Sequence, residues 1–341
     1  MEPLRVAVIG AGYWGPNLVR NFQGSAACDL RWVCDLDEQR ARRAIGRYST
    51  VPVTTAVDDV LGDNDVEAVA IATPAATHWP LASAALEAGK HVLIEKPLAS
   101  SVGEGEAIVK LADERGLTVM ADHTYCYTPA VQRIRDLVAT GTLGDLQYFD
   151  SVRINLGLVQ RDIDVFWDLA PHDLSILDFI LPEQWAPLSV AAHGADPIGA
   201  GKSCVGYLTL PLRHGAIAHI HVNWLSPTKI RTTVVAGSRR TLVWDDLNPS
   251  QRLSVFDKGV DLRVPADAEA KREILVSYRA GEMVAPALPE AEALGAVVNE
   301  FAGAIRGQRR PLTDGESGLR VLRMLEAAEK SLADEGRAVA L

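Results

Sequence analysis

The 341-residue chain has only four cysteines, Cys28, Cys34, Cys126 and Cys204, and none forms a C-x-x-C pair. A chain of this size does not need disulfides to build a core, so reduced thiols and a cytoplasmic location are the expectation. Basic residues are outnumbered, with Lys plus Arg at 34 against Asp plus Glu at 44, a formal net charge of −10. That balance argues against broad contact with nucleic acid or an anionic membrane, since both need a basic face. It leaves room for a local basic pocket that takes a phosphorylated ligand. No run of eighteen apolar residues occurs, so no membrane helix is expected. The start, MEPLRVAVIG, lacks the basic flank and long apolar stretch of a signal peptide.

What is present is the composition of a globular protein, 48% hydrophobic and 23% charged, at a length that suits two domains. Short, nearly continuous apolar runs occur at 4–10, 30–35, 67–73, 91–96 and 118–124. These predict strands buried on both faces of a parallel sheet. Helical patterns lie between them at 15–22, 38–45, 78–89 and 102–116. The alternation predicts α/β architecture, a doubly wound Rossmann sheet over residues 1–124. After a helical stretch at 129–141 the pattern becomes β-rich: 145–157, 188–195, 204–212, 215–225, 229–244 and 252–257. Period-two alternation at Ala216, Ala218, Ile220, Val222 and Trp224 predicts an open-faced, mostly antiparallel sheet in an α+β domain over 125–341. Residues 265–290 read as an exposed connection, and helices are expected near 290–306 and 315–334.

The first strand runs into GAGYWG, with Gly10, Gly12 and Gly15 in G-x-G-x-x-G spacing. Gly10 permits the tight turn, Gly12 lets a pyrophosphate approach the backbone, and Gly15 permits close helix–strand packing. The N–H groups of the following helix then face the phosphates. Asp35 ends the second strand, where an acid bonds the ribose hydroxyls of NAD. Arg40, Arg42 and Arg43 follow closely, which keeps NADP as the alternative. Tyr13, Trp14 and Trp79 are expected to pack near the cofactor.

Ligands of an open α/β sheet bind at the carboxyl ends of its strands. Strand ends here supply Thr73 and Pro74 with His78 beyond them, then Glu95, Lys96 and Pro97, then His123 and Tyr125. A separate stretch, VFWDLAPHDLSILD, places Asp168 and His172 four positions apart, on one face of a helix. A carboxylate beside an imidazole raises its proton affinity and orients it. A second reading of Asp168 is a cap for a helix that begins at Leu169, with Pro171 in the first turn. No third ligand accompanies the pair at convincing spacing, so no metal is expected.

In this order, GAGYWG, Asp35, TP-x-x-x-H, EKP and D-x-x-x-H resemble the glucose–fructose oxidoreductase/inositol dehydrogenase/rhizopine catabolism (Gfo/Idh/MocA) family over essentially the whole chain. The resemblance implies a Rossmann domain followed by an open-faced sheet domain. It also implies that Lys96, Asp168 and His172 surround the reacting carbon, and that the Lys96–Pro97 bond is cis. Phe166 and Trp167 stand where many members have glycines, and Ser175 where many have an acid. These departures most resemble the branch acting on nucleotide-linked and antibiotic sugars. The implied activity is NAD(P)-dependent interconversion of a ring hydroxyl and ketone, with His172 as general acid/base and Lys96 stabilising the oxyanion, or with these two roles exchanged. A dehydrogenase of an aminoglycoside-type sugar or free cyclitol is the nearest alternative. A non-catalytic NAD(P) sensor and an NAD-using glycosidase are the alternatives from other classes. Further substrate contacts are expected from His123, Tyr125, Arg153, Asn155, Asp164 and Trp167. The half-exposed sheet predicts a homodimer or homotetramer.

Overall fold

The computed structural model describes residues 2–160, 163–263 and 275–341. The chain divides into two compact units: Met1–Pro129, Leu174–Phe179 and Glu290–Glu326 form one, and Ala130–Asp173, Ile180–Pro289 and Ala327–Leu341 the other.

The first unit alternates strand and helix: β1 (Leu4–Ile9), α1 (Gly15–Gly24), β2 (Cys28–Cys34), α2 (Glu38–Ile45), β3 (Val53–Thr54), α3 (Val57–Leu61), β4 (Ala68–Ile71), α4 (His78–Glu87), β5 (His91–Glu95), α5 (Val102–Arg115) and β6 (Val119–Asp122). The strands form one parallel sheet in the order β3-β2-β1-β4-β5-β6. Every residue of β4 and β6 is buried, as strands covered on both faces require. Sequence order reverses between β1 and β4, which marks the switch point where doubly wound sheets bind ligands. The helices are bounded by local chemistry. Asp37 and Ser101 accept from the backbone N–H groups of Arg40 and Glu104, and Gly116 ends α5 in the left-handed conformation.

The second unit contains α6 (Pro129–Ala139), β7 (Leu146–Leu156), α7 (Val165–Ile180), β8 (Ser189–Ala195), β9 (Val205–Pro211), β10 (Ile217–Asn223), β11 (Leu225–Gly237), β12 (Thr241–Asp245), β13 (Leu253–Arg263) and β14 (Leu275–Val284). Pro129 and Leu174–Phe179 of these helices cluster with the first unit. Two helices, α8 (Ala293–Arg306) and α9 (Gly315–Ala333), and a short β15 (Val339–Ala340) complete the chain. The sheet has nine strands, β14-β13-β12-β11-β7-β10-β9-β8-β15, antiparallel except for the β7/β10 pair. In β10, Ala218, Ile220 and Val222 are buried while Ile217 is 45% exposed, so one face is covered and the other open.

Three details differ from the sequence expectation. The run 229–244 is two strands, because the chain turns at Ser238 and Arg239, where both N–H groups bond back to the carbonyls of Asp145 and Leu143. The segment expected as an exposed connection contains β14, which pairs with β13; residues 265–274 lie outside the described residues. Its alternating pattern is masked by the flanking charges and prolines. The helix α8 belongs with the first unit, where Leu294, Val297, Val298 and Phe301 join Leu18, Phe22 and Leu30 in one core cluster.

Within the second unit, α7 is seated on the sheet by a buried ion pair. Arg153 of β7 donates two hydrogen bonds to Asp173 of α7, Nε to Oδ2 at 2.7 Å and Nη2 to Oδ1 at 3.1 Å. The Ser151 hydroxyl adds a third at 2.7 Å. Arg153 is 3% exposed and Asp173 1%, so this arginine is held inside the unit rather than at a surface. Breaking a buried pair leaves a charge without compensation and costs about 3–5 kcal/mol. Arg153→Met should therefore lower unfolding free energy by about 3 kcal/mol in chemical denaturation. Adding Asp173→Leu should recover much of that loss, whereas an unchanged midpoint for Arg153→Met would contradict the assignment.

Candidate active site

The turn after β1 is backbone packed on backbone. Gly10 has φ +98°, and a Cβ there would lie 2.6 Å from the Ala72 carbonyl oxygen at the end of β4. A Cβ on Gly15 would collide with the carbonyl of Gly10. Gly12 differs, because a Cβ there would meet nothing within 4 Å. The first and third glycines thus close the turn, while the second leaves open space beside the N-terminus of α1.

That space belongs to a cavity of about 710 Å³ in the first unit. Gly10, Gly12, Tyr13, Trp14 and Asp35 line it from the β1 and β2 ends, and Thr73, Pro74 and Glu95 from the β4 and β5 ends. Leu36, Arg40 and Leu81 also line it. The sequence reading did not place Leu36 or Leu81 there, since neither sits in a motif. Tyr13 is 96% exposed and Leu36 93%, so two large apolar groups await a partner at this cavity. Asp35 accepts from the Ala11 N–H at 2.7 Å and the Asp37 N–H at 2.9 Å, and Arg40 lies 3.8 Å from it. The acid therefore braces the glycine turn as well as facing the cavity.

His78 plays a different part from the one expected. It is buried, with Nδ1 2.8 Å from the Pro97 carbonyl and Nε2 2.8 Å from the Thr73 carbonyl. It ties the loop after β4 to the loop after β5 and is not a cavity-lining residue. The Lys96–Pro97 bond beside it is cis. Trp14 Nε1 donates to Asp122 Oδ2 at 3.1 Å, and Thr124 donates to Asp122 Oδ1 at 2.7 Å. Asp122 is 1% exposed and stands opposite Glu95 in the β5/β6 register. Burial, and after it the neighbouring carboxylate, holds Glu95 well above the ordinary carboxyl range. Asp122 is raised too, again by burial. His123 is buried and neither ring nitrogen has a hydrogen-bond partner among the described residues. Burial, with Lys96 second, pulls its pKa down to about 4, so its ring is neutral. Tyr125 is half-buried in the short 3-10 turn that follows.

In the second unit, Asp168 and His172 are half-buried on α7, one helical turn apart. The helix starts at Val165, and Asp164 caps it by accepting from the Phe166 and Trp167 N–H groups, each at 3.0 Å. The capping reading of Asp168 is thereby removed: its Oδ2 accepts from Trp224 Nε1 at 2.9 Å. Pro171 sits inside the helix rather than in its first turn. Asn155 and Trp167 are half-buried on β7 and α7. Trp224 was legible only as a core position, because an indole that donates to an acid has the same alternation signal as one that packs.

A strand–glycine turn–helix over an open cavity, with an acid at the next strand end, defines a dinucleotide-binding oxidoreductase fold. The chain belongs to the GFO/IDH/MocA family: residues 4–123 match the oxidoreductase family's NAD-binding Rossmann fold and residues 131–243 its C-terminal domain. It is 28% identical over 325 residues to a UDP-N-acetylglucosamine 3-dehydrogenase of Acidithiobacillus ferrooxidans, covering 94% of this chain and 95% of that one. The crystal structure of that enzyme, GnnA, superposes with a TM-score of 0.81 at 25% identity over 99% of this chain and 100% of that chain. GenD2 from gentamicin A biosynthesis, solved in complex with NAD, gives 0.82 at 27% identity, covering 100% and 97%. The residues fit the cofactor: Gly12 leaves a cradle that any Cβ would fill, and Gly10, Gly12, Asp35 and Thr73 are the groups that would hold it. Among the described residues no helix is long and apolar enough to cross a membrane.

Gly12→Val offers a clean test of the cradle. With no neighbour to strike, it should leave unfolding free energy within about 0.5 kcal/mol. NAD⁺ binding, followed by tryptophan fluorescence, should weaken by at least about tenfold, the loss of roughly 1.4 kcal/mol. Unchanged affinity would move the pyrophosphate elsewhere.

Proposed function

We propose that the protein is an NAD(P)-dependent dehydrogenase that interconverts a secondary ring hydroxyl and a ketone at the 3-position of a nucleotide-linked sugar. The product would feed amino-sugar or antibiotic-sugar formation. One observation carries the reading: near-end-to-end similarity to a 3-dehydrogenase of UDP-N-acetylglucosamine, in a chain that has Lys96, Asp168 and His172 in family order. Similarity to GenD2 of the gentamicin A route favours a second reading, in which the ring belongs to an aminoglycoside-type sugar. Asp35 at the cavity wall favours NAD, and Arg40 beside it keeps NADP as the alternative.

Bound NAD⁺ supplies the hydride-accepting centre. The chain must take the hydroxyl proton and stabilise the negative charge that grows on oxygen. His172 is the proton acceptor, and Asp168, fixed by Trp224, favours its charged form. Lys96 supplies the cationic N–H donor for the oxyanion. Arg153 leaves the set of substrate contacts for its place in the buried pair, while Asn155, Trp167 and Tyr125 stay in it. The enzyme is assigned to the cytoplasm, in keeping with four free, buried cysteines. A homodimer or homotetramer is the proposed assembly, formed over the open sheet face where Ile217 and Tyr207 are exposed.

Lys96→Ala and His172→Ala should each reduce kcat by at least about 10²-fold, the scale of one general acid/base or oxyanion contact. NAD⁺ affinity should stay within about threefold in the His172 variant, a change of under 1 kcal/mol. Normal turnover in either variant would reject the roles. Substrate class is decided by NADH absorbance against UDP-N-acetylglucosamine, other sugar nucleotides, free sugars and aminoglycosides. Reduction with aminoglycosides alone would establish the second reading.

A further inference from the structure

Pro171 lies inside α7, between Asp168 and His172. It has no N–H to donate, so the helix loses the bond that would reach the Trp167 carbonyl, and the ring crowds that carbonyl. A proline so placed lets the turns on either side bend apart. The turn that carries Asp168 and the turn that carries His172 therefore need separate fastening to the sheet. Before the proline, the Val165 N–H donates to the Ser203 carbonyl at 3.1 Å, and Trp224 donates to Asp168 at 2.9 Å. Phe166 is buried over Gly206, where any Cβ would strike its ring. After the proline, Asp173 takes both prongs of the Arg153 guanidinium and the Ser151 hydroxyl, all from β7.

Helix geometry says what the second fastening does. Each residue advances about 100° around the axis. His172 thus lies about 40° round from Asp168, and Asp173 about 100° further on. Buried apolar neighbours such as Leu174 and Leu177 fix which side of α7 faces inward, but apolar contacts tolerate small rotations. A fork of two parallel hydrogen bonds does not. We propose that the Arg153–Asp173 pair is a positioning device for the proton acceptor: it holds the turn after Pro171 in the rotation that keeps His172 beside Asp168. Both members act through His172, the residue next to Asp173, and are positioning residues. The inference rests on the reading of His172 as the general base, and it holds whichever sugar is oxidised.

Stability and positioning can be separated. Arg153→Met/Asp173→Leu replaces the pair with apolar groups and should unfold near the wild-type denaturant midpoint. Its kcat should nonetheless fall by at least about tenfold, while KM for NAD⁺ stays within about twofold. Turnover is read by NADH absorbance with whichever of UDP-N-acetylglucosamine and the aminoglycosides the wild type oxidises. Pro171→Ala in the same background restores the missing N–H and should recover most of the lost kcat. A histidine-ring NMR signal, assigned to His172 by its loss in His172→Gln, reads the geometry without turnover. It should shift or broaden in the double variant and return with Pro171→Ala. Wild-type kcat in the double variant, an unmoved His172 signal, or no recovery with Pro171→Ala would each overturn the proposal, since a purely structural pair would give back activity with stability. If the double variant does not fold, Arg153→Lys, which keeps the charge and lacks the fork, takes its place under the same readouts. If the wild type oxidises none of the substrates, the sugar reading fails and the NMR signal still decides the inference.

Discussion

One close approach governs the first unit: the backbone of the glycine turn lies against the backbone at the end of β4. Gly10 and Gly15 have no room for a side chain, because the Ala72 carbonyl and the turn's own carbonyl occupy that space. The packing fixes where α1 starts, and so where its N–H groups and positive dipole end point. Asp35 reinforces the geometry from β2 by accepting from the Ala11 N–H, and His78 fixes the opposite wall by bridging the loops after β4 and β5. The cavity is the space this packing leaves open, and Gly12 is the position at which the chain keeps it open.

The second unit solves a different problem, that of holding Asp168 and His172 on a mostly apolar helix. Asp164 ends the helix's unpaired N–H groups, so Asp168 is not consumed as a cap. Trp224 fixes Asp168, and Arg153 anchors Asp173, the residue after His172, to β7. Each contact comes from a buried or half-buried partner, which restricts the freedom of α7 and of the Asp168 side chain. The ion pair itself has little net worth compared with an apolar substitute. Its distinctive property is directional: a two-pronged guanidinium accepts only one rotation of the helix about its axis.

Much of this was legible in the chain. The five longer strands of the parallel sheet, the four longer helices between them and the glycine turn follow from period and composition, because buried parallel strands and capped helices leave strong local signals. The two-residue strands β3 and β15 leave none, being shorter than either period. Strand β14 was hidden by charges that face solvent on an open sheet. The return of α8 to the first unit is a long-range packing fact that no local pattern encodes. Among site residues, motif positions were found and their partners were not. Asp122, Trp224 and the bridging role of His78 all depend on which strand ends lie side by side. Arg153 was expected to contact substrate and instead pairs with Asp173 inside the unit, because a charge next to a site in sequence does not tell whether it faces ligand or core.

The acids around these residues share a chemistry and differ in their surroundings. Asp35 and Asp164 accept backbone N–H groups and serve the turn and the helix end. Asp168 accepts the indole N–H of Trp224. Glu95 and Asp122 are different because they are register partners on adjacent parallel strands. Two carboxylates about 4 Å apart repel by roughly 1 kcal/mol in water but about 4 kcal/mol at an effective dielectric near 20. Burial makes each charge costlier still, while Trp14 and Thr124 stabilise the charge on Asp122. In a chain of net charge −10, the wall of a dinucleotide cavity is where a further negative charge is least welcome.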